Sequence, residues 1–255
     1  MITIRLNASE ISVITGHNKY QNVNELKEKI LIRNRLKKGV LIKNDIQKTL
    51  LKINDQTVLQ NIKKELKLEQ TATTQDIEKK IQSICIQPLL QKQTEQESHT
   101  TLRKVLEQTP ITKKMLETST YKDLIKARGN HNESKALNRT EQINHLRIKK
   151  RNNQLYSKIL YTDDSCTIIL QGKIDGMIDD DTVVETKNRS RRLFYTIPTY
   201  EQVQLEAYLY LTDTGKALHI ENYDEMTREQ YYYHNESFWS ECKETIINYI
   251  ITECI

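Results

Sequence analysis

The chain has 255 residues, a formal net charge of +5 and 37% hydrophobic residues, with a mean hydropathy of −0.68. That length holds one large domain, or a core with a sizeable insertion, and the composition is polar for a globular protein without being that of a disordered one. The mildly basic balance permits a polyanionic partner without demanding one, while the scattered Cys85, Cys166, Cys242 and Cys254 form no CxxC pair that would suggest zinc or an iron–sulfur cluster. With no signal peptide, these read as reduced thiols of an intracellular protein.

Residues 7–20, NASEISVITGHNKY, predict a helix with Asn7 or Ser9 as N-cap and its close at Gly16. Its free amides and the Ser9 hydroxyl offer a place for a phosphate. From residue 23 to 126 the texture changes: Gly39 is the sole glycine, and Pro88 and Pro110 are the sole prolines. Apolar residues recur there at helical spacing, as in Leu26 and Ile30, Ile46 and Leu50, Val58, Ile62 and Leu66, or Ile77, Ile81 and Ile84. This predicts a run of amphipathic helices without a catalytic constellation, serving partner or substrate contact. Residues 127–148 predict a further helix with Gly129 near its start, where a missing side chain admits close approach, and with Glu133 on an inner turn. His131 and His145 read as solvated. The predicted divisions are an N-terminal helix (1–22), a helical insertion (23–127) and the core (128–255).

Residues 155–161 and 167–172 predict strands, and residues 171–192, QGKIDGMIDDDTVVETKNRSRR, a hairpin turning at Asp179, Asp180 and Asp181. Alternation sets Glu185 and Lys187 on one face with Thr186 opposite, and Asp175 beside them. Two carboxylates and an ammonium at a sheet edge are unfavourable unless something uses them. A divalent cation would: Asp175, Glu185 and the Thr186 carbonyl are the hard oxygen ligands that Mg²⁺ takes while keeping several waters. Lys187 would orient or help deprotonate one of those waters, which is phosphodiester-cleaving chemistry. The plain alternative is an exposed hairpin with an ordinary salt bridge. Lys187, Arg189, Arg191 and Arg192 make a basic cluster suited to phosphate, and Arg147, Lys149, Lys150 and Arg151 make another. Beyond the hairpin, residues 200–212 predict a helix with Gln204 and Tyr208 on one face. Residues 217–223 and 230–234 predict strands, and residues 236–255 a closing helix whose apolar run is too short to span a membrane. The order gives a mixed α/β sheet with helices on both sides.

Taken in sequence, these pieces resemble the PD-(D/E)XK nuclease superfamily, in particular its lambda-exonuclease and YqaJ-type viral recombinase branch. Residues 7–20 are similar to that branch's Ala-Ser-rich first helix and RGNHNE to its Gly-xxx-Glu helix. GKIDG with ETK resembles its Asp and Glu-x-Lys, and QLEAY its Gln-xxx-Tyr helix. The resemblance covers residues 5–20 and 128–250. It implies a restriction-endonuclease-like α/β (α+β) core, a mixed sheet flanked by helices, carrying a large all-helical insertion. It further implies Asp175 and Glu185 as Mg²⁺ ligands, with Mn²⁺ substituting, the Thr186 carbonyl assisting and Glu133 completing the acidic cluster. Lys187 would position the attacking water. Gln204 and Tyr208 would brace the site or contact the DNA backbone, together with Arg189 and Arg191. Ser9, with a basic side chain such as Arg5, would bind the 5′-terminal phosphate in a processive 5′→3′ exonuclease.

The implied partners are DNA, a single-strand annealing protein and further copies of the chain, with no membrane. Arg5 departs from the pattern, standing closer to Ser9 than the phosphate-binding arginine of lambda exonuclease would. The helical region has no counterpart in compact members, and the cysteines of the iron–sulfur-bearing relatives of RecB nuclease are absent. The Asn-, Ile- and Lys-rich composition fits an AT-rich genome such as that of a large DNA virus. The expected function is a Mg²⁺-dependent DNA exonuclease of recombination, repair or replication. An endonuclease or structure-specific nuclease of the same fold, and a non-catalytic nucleic-acid-binding protein, are the alternatives.

Overall fold

The computed structural model describes residues 1–92, 94–151 and 154–255. The chain divides into two compact units, Met1–Leu41 with Lys135–Ile255, and Ile42–Ser134. The first unit opens with strand β1 (Ile2–Asn7), followed by the single turn α1 (Ile11–Ile14) and helix α2 (Val23–Arg33). The predicted helix over residues 7–20 is thus corrected. Asn7 ends a strand of alternating burial, and α1 begins after Glu10, with no side-chain cap from Asn7 or Ser9. Instead the Asn7 amide donates to Glu10 Oε2 (3.0 Å), and Gly16 leaves the turn at φ +75°, a left-handed geometry that glycine adopts without strain. Helix α2 buries Leu26 and Ile30 in the core of this same unit, so residues 23–41 fall with it and not with the helical region.

The second unit is helical: α3 (Asp45–Leu50), α4 (Gln56–Glu65), α5 (Thr74–Ile81), a π turn (Gln82–Ile86) continuing into a 3₁₀ turn (Gln87–Leu89), then α6 (Glu95–Leu106) and α7 (Pro110–Asn144). The side chains of Asn44, Asp55, Thr73 and Thr94 cap the four helices α3 to α6, each accepting from amides with no partner inside the helix. Their apolar faces meet in a core with Ile46, Ile62, Ile77, Ile81 and Leu102 fully buried. Pro110 starts α7, where a missing amide hydrogen is tolerated, and the helix runs unbroken through Gly129. Gly129 is therefore interior to a helix, not near its start. A Cβ there would meet nothing within 4 Å, so no close approach demands the glycine.

The last turns of α7 return the chain to the first unit. There follow β2 (Ile148–Lys149), β3 (Tyr156–Thr162), β4 (Cys166–Gly172), β5 (Gly176–Ile178), β6 (Thr182–Asn188), α8 (Thr199–Thr212), β7 (Lys216–Tyr223), β8 (Met226–Tyr233) and α9 (Glu236–Glu253). The strands form two mixed sheets, in orders β1-β4-β3 and β2-β5-β6-β7-β8, with β1/β4 and β6/β7 parallel. This is the expected mixed α/β class, with the strands parted into two sheets at residues 173–175. Strand β6, helix α8 and strand β7 make the crossover unit a parallel pair requires. Asp179 and Asp180 both have positive φ, the turn geometry that lets β5 and β6 pair tightly. Helix α8 packs its buried Val203, Leu205 and Leu209 into a core shared with β1, β4 and α9. Gly172 makes that packing possible, since a Cβ would come within 2.8 Å of the Tyr208 ring and 3.0 Å of Ala8. The four cysteines are buried free thiols. Among the described residues no helix is long and apolar enough to cross a membrane.

Candidate active site

The hairpin and helix α8 bring Asp175, Glu185, Lys187, Gln204 and Tyr208 together. Asp175 lies in the bend between β4 and β5, and its Oδ2 accepts the Thr186 amide at 2.7 Å. This ties the bend to β6 at the residue flanked by Glu185 and Lys187. Strand alternation puts those two side chains on one face, where the Lys187 ammonium donates to Glu185 Oε1 at 2.6 Å and to Gln204 Oε1 at 2.9 Å. Gln204 in turn donates to the Tyr208 hydroxyl one helical turn on, at 2.8 Å. Burial works against the charged amine of Lys187, but the neighbouring charges of Glu185, Glu201 and Asp175 outweigh it and raise its pKa. Lys187 is therefore held as an ammonium donor to Glu185 and Gln204.

Glu185 is 4% exposed, and its second oxygen, Oε2, is buried with no hydrogen-bond partner. A buried carboxylate oxygen left unmatched is destabilising, unless a cation completes it. Among the described residues no three His, Cys, Asp or Glu side chains gather to hold a metal by themselves. The set formed by Asp175, Glu185 and the Thr186 carbonyl fits a hard cation that takes one or two carboxylates and fills its shell with water and phosphate oxygens, the habit of Mg²⁺. It does not fit zinc, which seeks histidine and cysteine.

Beside these residues, on the same face, lies a charge network that sequence spacing did not disclose. Cross-strand register sets Glu185 beside His219 and Lys187 beside Glu221. Arg189 grips Glu201 through both terminal nitrogens, at 2.6 and 2.7 Å, and Glu221 through Nε at 2.6 Å. His219, fully buried, pairs with Glu201 at 2.9 Å. Burial alone would raise the Glu201 carboxyl, but hydrogen bonds from His219 and Arg189 and the charges of Arg189 and Lys187 bring it down to about 2. The expected DNA contact by Arg189 is corrected accordingly: its guanidinium is turned inward and saturated by two acids. The signal available in the sequence was the pair of acids on the helix and strand that follow it, but nothing in their spacing says they meet.

Arg5 is exposed on β1 and Ser9 exposed in the turn after it. With α1 only four residues long, Ser9 does not sit at the N-terminus of a substantial helix. Arg191 and Arg192 are exposed beyond β6, and Tyr208 is buried against Gly172, which makes it a brace. Glu133 is half-buried on α7, in the second unit.

No protein-family profile and no curated protein matches the chain. Among solved structures, the exonuclease LHK-Exo in complex with dAMP superposes over 97% of this chain and 87% of its own, with a TM-score of 0.50 and 10% identity. A structure of this alkaline exonuclease from Laribacter hongkongensis aligns over 49% of this chain and 66% of its own, with a TM-score of 0.39 and 11% identity. A phage-related exonuclease from Haemophilus somnus 129PT aligns over 49% and 71%, with a TM-score of 0.36 and 15% identity. The first of these superpositions carries the comparison, and at its level of identity it speaks to architecture: the chain has the fold of the exonuclease LHK-Exo.

Proposed function

We propose that this chain is a Mg²⁺-dependent deoxyribonuclease that degrades DNA from double-strand ends. The observation that carries the reading is the buried, partnerless Glu185 Oε2, next to a carboxylate anchored on the same strand and an ammonium held by Gln204. Asp175, Glu185 and the Thr186 carbonyl would hold the cation. The bound cation supplies Lewis acidity toward a phosphoryl oxygen and lowers the pKa of a water. Lys187, fixed by Glu185 and Gln204, donates a hydrogen bond to that water or to a non-bridging phosphate oxygen, and Gln204 is itself fixed by Tyr208. Arg191 and Arg192, exposed past the end of β6, suit backbone phosphates. The fold likeness to LHK-Exo supports action at ends. Direction 5′→3′, with the exposed Ser9 and Arg5 meeting the terminal phosphate, follows from the resemblance in sequence.

Linear and closed circular duplex DNA, each incubated with Mg²⁺ or with EDTA, test the reading beside a Glu185→Ala protein. Loss of the linear form alone, in Mg²⁺ alone and with wild type alone, is the expected result. Cutting of the circle would replace the exonuclease by an endonuclease on the same fold. Wild-type protein inert toward both would overturn the reading.

A further inference from the structure

The loop of residues 189–198, between β6 and α8, carries a feature that cleavage chemistry does not use. Tyr195 is 87% exposed, yet the backbone beneath it is tied down from three sides. The Phe194 amide donates to Glu221 Oε2 at 3.0 Å. The Arg228 guanidinium donates to the carbonyls of both Phe194 and Tyr195, and Gln230 Nε2 donates to the Tyr195 carbonyl at 3.1 Å. Phe194 packs its ring under the Arg189 guanidinium, 4.4 Å from its centroid, while Arg228 also backs the Tyr195 ring at 5.6 Å. A loop fixed this firmly around an outward aromatic ring presents that ring at little further loss of freedom.

Register tells where the ring is held. Glu185 pairs with His219 and His219 with Gln230; Lys187 pairs with Glu221 and Glu221 with Arg228. Partners across a sheet share a face, so the two residues that clamp Tyr195 stand on the same two rungs, and the same face, as Glu185 and Lys187. They are two strand spacings away, about 10 Å, which is roughly three base steps along a strand. Arg191 and Arg192, exposed in the same loop, add positive charge beside the ring.

Resting on the nuclease reading above, we infer that Tyr195 is a stacking platform for an unpaired base of the bound DNA. An aromatic face among arginines is the chemistry that binds single strands without regard to sequence, whereas the bases inside a duplex are already stacked on their neighbours.

The test compares binding of a short labelled single-stranded DNA and of the same sequence as a blunt duplex, both in EDTA, by fluorescence anisotropy. Wild type, Tyr195→Phe, Tyr195→Leu and Tyr195→Ala are measured together. The bonds that fix the loop go to backbone groups that every variant keeps, and only the exposed contact with Arg228 changes, so all four fold alike. Tyr195→Phe binds the single strand as wild type does, whereas Tyr195→Leu and Tyr195→Ala bind it roughly tenfold more weakly, with a smaller change for the duplex. Unchanged single-strand binding by Tyr195→Ala, or equal weakening of both forms, overturns the inference. If wild type still cuts linear DNA in a Glu185-dependent manner, that failure is confined to Tyr195. Wild type that neither cuts nor binds DNA overturns this inference and the nuclease reading together.

Discussion

The two units put their buried charged groups to different uses. In the helical unit Asp123, Glu65 and Arg128 each bind backbone groups, although the buried Thr120 hydroxyl has no partner. Asp123 on α7 accepts the amides of Asp45 and Ile46 at the start of α3, both at 2.9 Å. Glu65 accepts from Ile111 and Thr112 at the start of α7, and Arg128 donates to the Leu89 and Lys92 carbonyls and to Ser98. These side chains satisfy helix ends and are spent on doing so. In the strand-bearing unit, Glu185, Lys187, Arg189, Glu201, His219 and Glu221 crowd one face of a sheet, and one carboxylate oxygen is left over. A buried acid saturated by backbone amides is architecture. A buried acid with an unmatched oxygen beside an ammonium points to something absent from the chain itself.

That contrast can be broken experimentally. Arg189→Ala strands two buried carboxylates, so it should lose about 3–5 kcal/mol of stability, read by urea denaturation. A loss confined to surface-pair magnitude would show that the network is solvated. Lys187→Ala should lower cleavage roughly 100- to 1,000-fold while DNA binding persists, measured by single-turnover digestion. Retained cutting would remove Lys187 from the mechanism. Glu201 tests the same region through pH. Its carboxyl sits at about 2 when folded against an ordinary 4.5, so its contribution is complete above about 4.5 and fades as pH falls toward 2. The amount is on the order of 3 kcal/mol, and Glu201→Gln should flatten that part of the acid-denaturation curve. Smallest is Asp123→Ala in the helical unit, about 1–2 kcal/mol for a lost helix cap, with cleavage by the folded protein unchanged.

What could be read from the sequence follows from the range of the interactions. Glu185 and Lys187 on one strand face, the acidic turn before them, and Gln204 one helical turn from Tyr208 are fixed by local period and turn chemistry. The expectation that Asp175 lies beside Glu185 and Lys187 rested on the shortness of the hairpin, whereas its bond to the Thr186 amide appeared only in the fold. Strand β1 was missed although ITIRLN alternates plainly. Its partner is β4, some 160 residues along the chain, and no local pattern announces a parallel pairing at that distance. Arg189 was misread for the same reason: beside Arg191 and Arg192 it looks like one more phosphate contact, and only the fold delivers Glu201 and Glu221 to it. The bounds of the helical region shifted because α2 is amphipathic like its neighbours, and periodicity does not say which core a helix will join.

The most direct test of the account is Mn²⁺ or Mg²⁺ binding to the DNA-free protein by isothermal titration, wild type beside Glu185→Gln. If Glu185 Oε2 is the ligand left open for a divalent cation, wild type binds the ion and the isosteric amide, which removes the charge and leaves the shape, abolishes or sharply weakens that binding. Equal binding by the two proteins would contradict the claim that this buried oxygen is a metal ligand.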